Sequence, residues 1–214
     1  MMRSLPPAGG GTWDVALLAP IAEINEQLLE CLRSMAADEP GTAAATLAPR
    51  LVQLTQPQWR RLDAGALRRL SSSPCLLLDA GFSQASHWQD PQSLAIDAVM
   101  DQPGQDVYFR GAAGSALLRR TLLLAWHVAR SNRLMAGVVF GMNPAVAEGL
   151  ARRRLKELEA MAERAPAWMM PRWERQPLVW RQMIDAACAG QPSTLRAMHM
   201  RGVQLLARER YPIC

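Results

Sequence analysis

Leu122-Leu123-Leu124-Ala125, Phe140-Gly141-Met142-Asn143-Pro144, Val146-Ala147, Leu150-Ala151, Leu155, Leu158 and Met161-Ala162 decide how this 214-residue chain folds. The apolar residues recur at helical spacing, so each run buries one stripe of a helix. A long helix is predicted from Ser115, as N-cap, to Val139. Gly141 ends it, where a positive φ costs a glycine little. Asn143 and Pro144 then open a short helix to about Arg152, as N-cap and first helical residue. A further helix spans Arg154 to Arg164 and stops before Ala165-Pro166. Helix, turn, short helix, turn, helix suits a small DNA-reading or dimerising module better than a catalytic pocket.

The same grammar runs outward. Ile21, Ile24, Leu28, Leu29 and Leu32 form a helical stripe beginning near Leu17 and stopped by Asp38-Glu39-Pro40-Gly41. Residues 42–47 are alanine-rich and predicted helical. Leu51, Leu54 and the segment Gln58 to Leu70 predict a helix entered through Thr55-Gln56-Pro57, with Thr55 as N-cap. Ser71-Ser72-Ser73-Pro74 breaks the chain. Cys75-Leu76-Leu77-Leu78 reads equally as a strand or a buried segment. Turn formers fill 101–114, the expected linker. A last helix, Ser193 to Arg210, follows Gln191-Pro192. The expected fold class is all-α: a tail over 1–16, one helical module over 17–100, a linker over 101–114 and a second, basic module over 115–214. The two modules would pack as a pseudo-dimer, with a helix-turn-helix-like element in the second.

An internal repeat supports that division. Each half has a leucine-rich opening helix, a helix with paired arginines, a proline break, an apolar run and a tryptophan. Pro74 and Trp88 are 14 residues apart, and so are Pro166 and Trp180. Chance recurrence in a leucine- and arginine-rich chain is the alternative.

Charge divides the chain at the same place. Residues 1–106 hold 7 Arg against 12 Asp and Glu, a net −5. Residues 107–214 hold 17 Arg and Lys against 7 Asp and Glu, a net +10. A basic half points to nucleic acid or an acidic partner, with a solvated surface as the plain alternative. Cys31, Cys75, Cys188 and Cys214 form no metal-ligand pattern and no secreted disulfide framework, which fits reduced thiols in a cytoplasm. The nearest apolar run, Leu122 to Met142, is interrupted by His127, Arg130, Ser131, Asn132 and Arg133 and is not a membrane span. The start lacks the apolar core of a signal peptide.

Catalytic signatures are weak. His87, His127 and His199 lie far apart, and Gly111-Ala112-Ala113-Gly114 is too short for a dinucleotide loop. Glu157 and Glu159 fall on different sides of a helix. The expectation is a protein that is not an enzyme and uses no cofactor or metal.

The second half resembles the FlhD family of flagellar transcriptional regulators over about residues 115–210. Leu122-Leu123-Leu124-Ala125, Ala136 and the residues from Val146 to Ala162 follow the family's spacing, and Phe140-Gly141-Met142-Asn143 is similar to its leucine-glycine-isoleucine-asparagine turn. Arg172-Trp173-Glu174 resembles its arginine-phenylalanine-aspartate, and His199 through Leu205-Leu206-Ala207-Arg208 its last helix. The first half looks like a more divergent copy: Ile21, Ile24 and Asn25 resemble the opening helix, and Leu54-Thr55-Gln56-Pro57-Gln58 the leucine-threonine-x-proline-glutamine element. The resemblance implies a tandem fusion of two FlhD-like modules. Three departures matter. Family members are close to half this length. The cysteine that links the family's dimer falls on Met169, with Cys75 only near the matching place. Arg152-Arg153-Arg154 replaces the proline-glutamine element in the second half.

The resemblance implies a transcriptional activator, of flagellar or related genes, that acts with an FlhC-like subunit on double-stranded promoter DNA. In the family much of the DNA grip belongs to that partner. Self-association is a further option, and no membrane is involved. The expected DNA contacts are Arg152, Arg153, Arg154, Lys156, Arg172, Arg175 and Arg181, placed on a helix-turn-helix and the surface beside it. The expected dimer-like or partner interface is Leu118, Leu122, Ala125 and Trp126 with Ile24 and Leu28. Trp168, Trp173 and Trp180 are expected in core or interface packing before base stacking. The rival function is a helical adaptor or chaperone, for example of a secretion system, that binds protein alone and no DNA. Its 12 methionines and apolar helices would suit that equally.

Overall fold

The computed structural model describes residues 15–37, 48–82, 88, 106–164 and 166–210. The fold is all-α, with one pair of two-residue strands among the described residues. The helix expected over 42–47, the expected linker over 101–105 and all but the end of the expected N-terminal tail lie outside the described residues.

Helix α1 (Val15–Ala36) buries the stripe Ile21, Ile24, Leu28, Leu29 and Leu32. Asn25 is buried on this helix, so its amide must be fully bonded. Its Nδ2 donates to the carbonyls of Ser71 (3.2 Å) and Cys75 (3.1 Å), and its Oδ1 accepts the Leu77 N–H (2.8 Å). One side chain thus fixes the chain break after the paired-arginine helix against α1.

The helix expected around Gln58 to Leu70 is three pieces: α2 (Arg50–Leu54), α3 (Gln56–Arg61) and α4 (Ala64–Ser71). Thr55 is not a side-chain cap. Its Oγ1 donates to the Leu51 carbonyl (2.6 Å) and accepts the Trp59 indole N–H (2.8 Å). Asp63 makes the second break, because its carboxylate accepts the Ala66 N–H (2.6 Å) and starts α4. The run from Cys75 to Leu78 is buried throughout and ends in strand β1 (Leu78–Asp79).

Helix α5 (Gly111–Ser131) begins inside the expected linker, four residues before Ser115. It does not continue to Val139. Asn132 leaves helical geometry, its side chain accepts the Met135 N–H (3.0 Å), and α6 (Arg133–Phe140) starts afresh. Gly141 ends α6 with φ 62°, and Asn143 caps α7 (Pro144–Arg152) by accepting the Val146 N–H (2.8 Å). α8 (Leu155–Arg164) follows, then a 3₁₀ turn (Pro166–Trp168) and strand β2 (Met170–Pro171). α9 (Pro177–Ala189) was not anticipated by the sequence reading. α10 (Pro192–Arg210) starts with Pro192, so Ser193 lies inside it rather than at its cap. No single described helix is long and apolar enough to cross a membrane.

α1 packs on α4, and α5 packs on α7 and α8. α1 and α5 meet, α9 lies on α3 and α4, and α10 closes over α6 and α9. One continuous hydrophobic core runs through both halves, so the two expected modules do not have separate cores.

The halves are related by a recurrent spacing. Leu78 and Met170 are 92 residues apart, as are Asp79 and Pro171, and Trp88 and Trp180. The strands at these positions pair antiparallel, Leu78 with Pro171 and Asp79 with Met170. Moving either strand by the repeat length turns it into its own partner. The helix pairs α1–α4 and α5–α8 occupy matching places along the two halves.

Candidate nucleic-acid interface

The basic cluster is built on the turn between α7 and α8. α7 ends when the Arg153 N–H bonds the Leu150 carbonyl (3.0 Å). Glu157 reaches back to accept the Arg154 N–H (2.7 Å), half of a capping box, and opens α8. Trp126 on α5 donates its indole N–H to the Arg153 carbonyl (2.9 Å), which clamps the turn to the long helix. The Arg130 guanidinium, one helical turn further along α5, lies 4.7 Å from the Trp126 ring centroid. Trp126 is half-buried, and Arg130, Arg152, Arg154 and Lys156 are exposed. Arg152 pairs with Glu148 one turn back on its own helix, an exposed pair of little net value.

Three expected DNA contacts are engaged elsewhere. Arg172 is buried, with its side chain only 2 % exposed, and cannot reach DNA. It donates to the Leu76 carbonyl (2.9 Å) and the Phe140 carbonyl, and its guanidinium lies 3.9 Å from Asp79. Its own carbonyl accepts the Trp180 indole N–H (2.7 Å). Arg172 is therefore a clamp between the halves. Arg153 is half-buried and donates to the Trp88 carbonyl (3.2 Å), again from one half to the other. Arg181 is exposed but donates to the Leu54 carbonyl (2.6 Å). Arg175 is exposed and lines a separate cavity beside Glu174. Arg152, Arg154 and Lys156 remain as outward charges at the turn. Arg130 joins them, a residue the sequence reading passed over although its i, i+4 spacing from Trp126 is visible in the chain.

Helix α8 does not suit insertion into a groove. Its exposed side chains include Glu157, Glu159 and Glu163, of which Glu163 pairs with Arg119 of α5 (3.6 Å). Those carboxylates would face phosphates. Helices α6 and α7 also meet at a steep angle, bent by 115° across Gly141–Asn143. α7 carries no basic side chain before Arg152. Guanidiniums presented at a turn are able to reach an anion such as a phosphate oxygen.

The expected interface residues Leu118, Leu122, Ala125, Ile24 and Leu28 are all buried in the shared core. They are closed to an external partner, and Trp126 belongs to the basic turn. Trp168, Trp173 and Trp180 are buried as well, which leaves none of them for base stacking.

Comparison with protein-family models, with characterised proteins and with solved structures finds no significant match to this chain.

Proposed function

We propose that this chain is a non-enzymatic transcriptional regulator of the FlhD type. Its two modules stand in one polypeptide for two subunits, and it contacts promoter DNA with an FlhC-like partner to activate flagellar or related genes. The observation that carries the DNA reading is the basic turn: Arg130, Arg152, Arg154 and Lys156 exposed around the half-buried Trp126. The Trp126–Arg153 bond ties the backbone of the turn to α5, so the side chains leave from a fixed base. The tandem reading draws support from the reciprocal pairing of β1 with β2. Leu118, Leu122, Ala125, Ile24 and Leu28, expected at a dimer interface, are buried in one core in which α1 and α5 meet, as a fused dimer would require.

The test is binding of a fluorescent duplex by the purified chain, alone and with an FlhC-like subunit, across a salt series. The proposal predicts affinity that falls steeply with salt and is stronger with the partner. Absence of duplex binding in both cases would overturn it.

A protein-binding adaptor is the second reading. It is favoured by the acidic outer face of α8 and by Leu134, 73 % exposed at the start of α6. Stable capture of a defined protein partner without any duplex affinity would select it.

A further inference from the structure

A cavity of about 510 Å³ opens where the two halves and their connection meet. Its walls come from α2, from the segment before α5 and from the turn before α9. Its volume is within the ~300–1,000 Å³ of small-molecule sites, which concentrate at such junctions. It lies apart from the basic turn and takes no part in the proposed DNA contact.

The lining carries charges of both signs side by side. Asp106 and Glu174 supply carboxylates, and Tyr108, itself buried, donates its hydroxyl to Glu174 and accepts the Leu51 N–H. Asp106 accepts the Arg50 backbone N–H (2.6 Å), which holds its carboxylate at the wall. Arg50 and Arg175 supply guanidiniums, and both are exposed at the rim. Arg175 is 3.7 Å from Glu174 with a side chain 93 % exposed, so it can swing to a ligand at little cost. Leu51, Leu54 and Pro177 add apolar wall.

We propose that this cavity binds a small zwitterion, an aliphatic α-amino acid. Its ammonium would sit against Asp106 and Glu174, its carboxylate against Arg50 and Arg175, and its side chain on the leucine and proline wall. A nucleotide would bring several phosphate charges against Asp106 and Glu174. A polyamine would leave a second ammonium facing the guanidiniums. A zwitterion offers a partner to each sign, and each charge-assisted bond is of the stronger kind. Burial, followed by the Asp106 charge, pushes the Glu174 carboxyl above its ordinary range. An ammonium ligand would bring it back down, so binding should weaken on acidification.

The experiment is calorimetric titration of the full chain with L-leucine, L-valine and L-isoleucine. Isopentylamine and 4-methylpentanoate serve as leucine analogues carrying one charge each. At least one amino acid binds, and for leucine each analogue binds about tenfold or more weakly. Arg175→Ala and Glu174→Gln each weaken the amino acid to a similar degree while the melting temperature shows the fold intact. No heat from any of the three amino acids up to ~10 mM would overturn the proposal, because affinity weaker than that is not a site. Equal binding by the analogues or by the variants would overturn it too.

Discussion

Gly81 and Trp173 are 92 residues apart and hold the same left-handed backbone, φ 76° and φ 54°. Trp173 is the only non-glycine residue with positive φ among the described residues. Each sits two residues after the end of its strand. A glycine adopts this conformation freely, whereas a tryptophan pays about 1–2 kcal/mol. Trp173 is kept because its ring is buried against Gly202 of α10. Gly81→Ala should therefore cost about 1–2 kcal/mol in urea unfolding, from backbone strain.

Gly202 is the other half of that contact. A Cβ there would meet the Trp173 ring at 2.9 Å, with the ring already buried. Gly202→Ala should destabilise by about 1–3 kcal/mol despite raising helix propensity. A stabilised variant would show that α10 is not seated on Trp173.

Arg172 makes a test of the clamp. Removing its side chain leaves the carbonyls of Leu76 and Phe140 and the Asp79 carboxylate with fewer donors in a buried place. Arg172→Met should cost about 3–5 kcal/mol. Arg172→Lys should recover little of it, since an ammonium cannot reproduce the guanidinium fork. Chemical denaturation reads both.

How far the chain could be read without its structure follows from the range of each interaction. α7 was legible to its last residue because Asn143, Pro144 and the apolar stripe act within a few residues. The break at Asn132 was not, since an asparagine inside an apolar period becomes a cap only when its side chain turns to Met135. α9 has local signals of its own, Pro177 at its start and Gly190, with φ 64°, at its end. The burial of Arg172 could not be seen, because its acceptors Leu76 and Phe140 are 96 and 32 residues away. Charge counting assigned it to the surface with its neighbours. Arg152, Arg154 and Lys156 are exposed as expected of a helix-to-helix turn, whereas Arg153 beside them is drawn to the Trp88 carbonyl 65 residues away.

His199 sets a pH dependence. It is buried on α10, its Nε2 has no hydrogen-bond partner among the described residues, and its other nitrogen bonds the Leu70 carbonyl. Burial lowers its pKa below the usual 6.5. Below the unfolded value, the unfolded state binds a proton that the folded state refuses. Its contribution is thus intact above 6.5 and lost as pH falls through the folded value. His199→Gln should flatten the fall in stability between about pH 7 and pH 5 relative to wild type. An unchanged slope would place the titration elsewhere.

Glu174 runs the other way. Its carboxyl is raised chiefly by burial, so the charged form weakens the fold once pH exceeds the ordinary carboxylate range. Glu174→Gln should stabilise the ligand-free protein slightly near about pH 7 and lose that advantage as pH drops toward about 4, where wild type is protonated too. Melting temperatures across that range check the sign.

The most direct test of the account is the salt dependence of duplex binding by the wild type beside the Arg152→Ala, Arg154→Ala, Lys156→Ala triple variant, with circular dichroism to verify the fold. The account predicts weaker binding and a slope of log affinity against log salt that is shallower by about 0.9 for each phosphate contact removed. A triple variant with the wild-type affinity and slope would contradict it, and would return the arginine turn to a solvated surface.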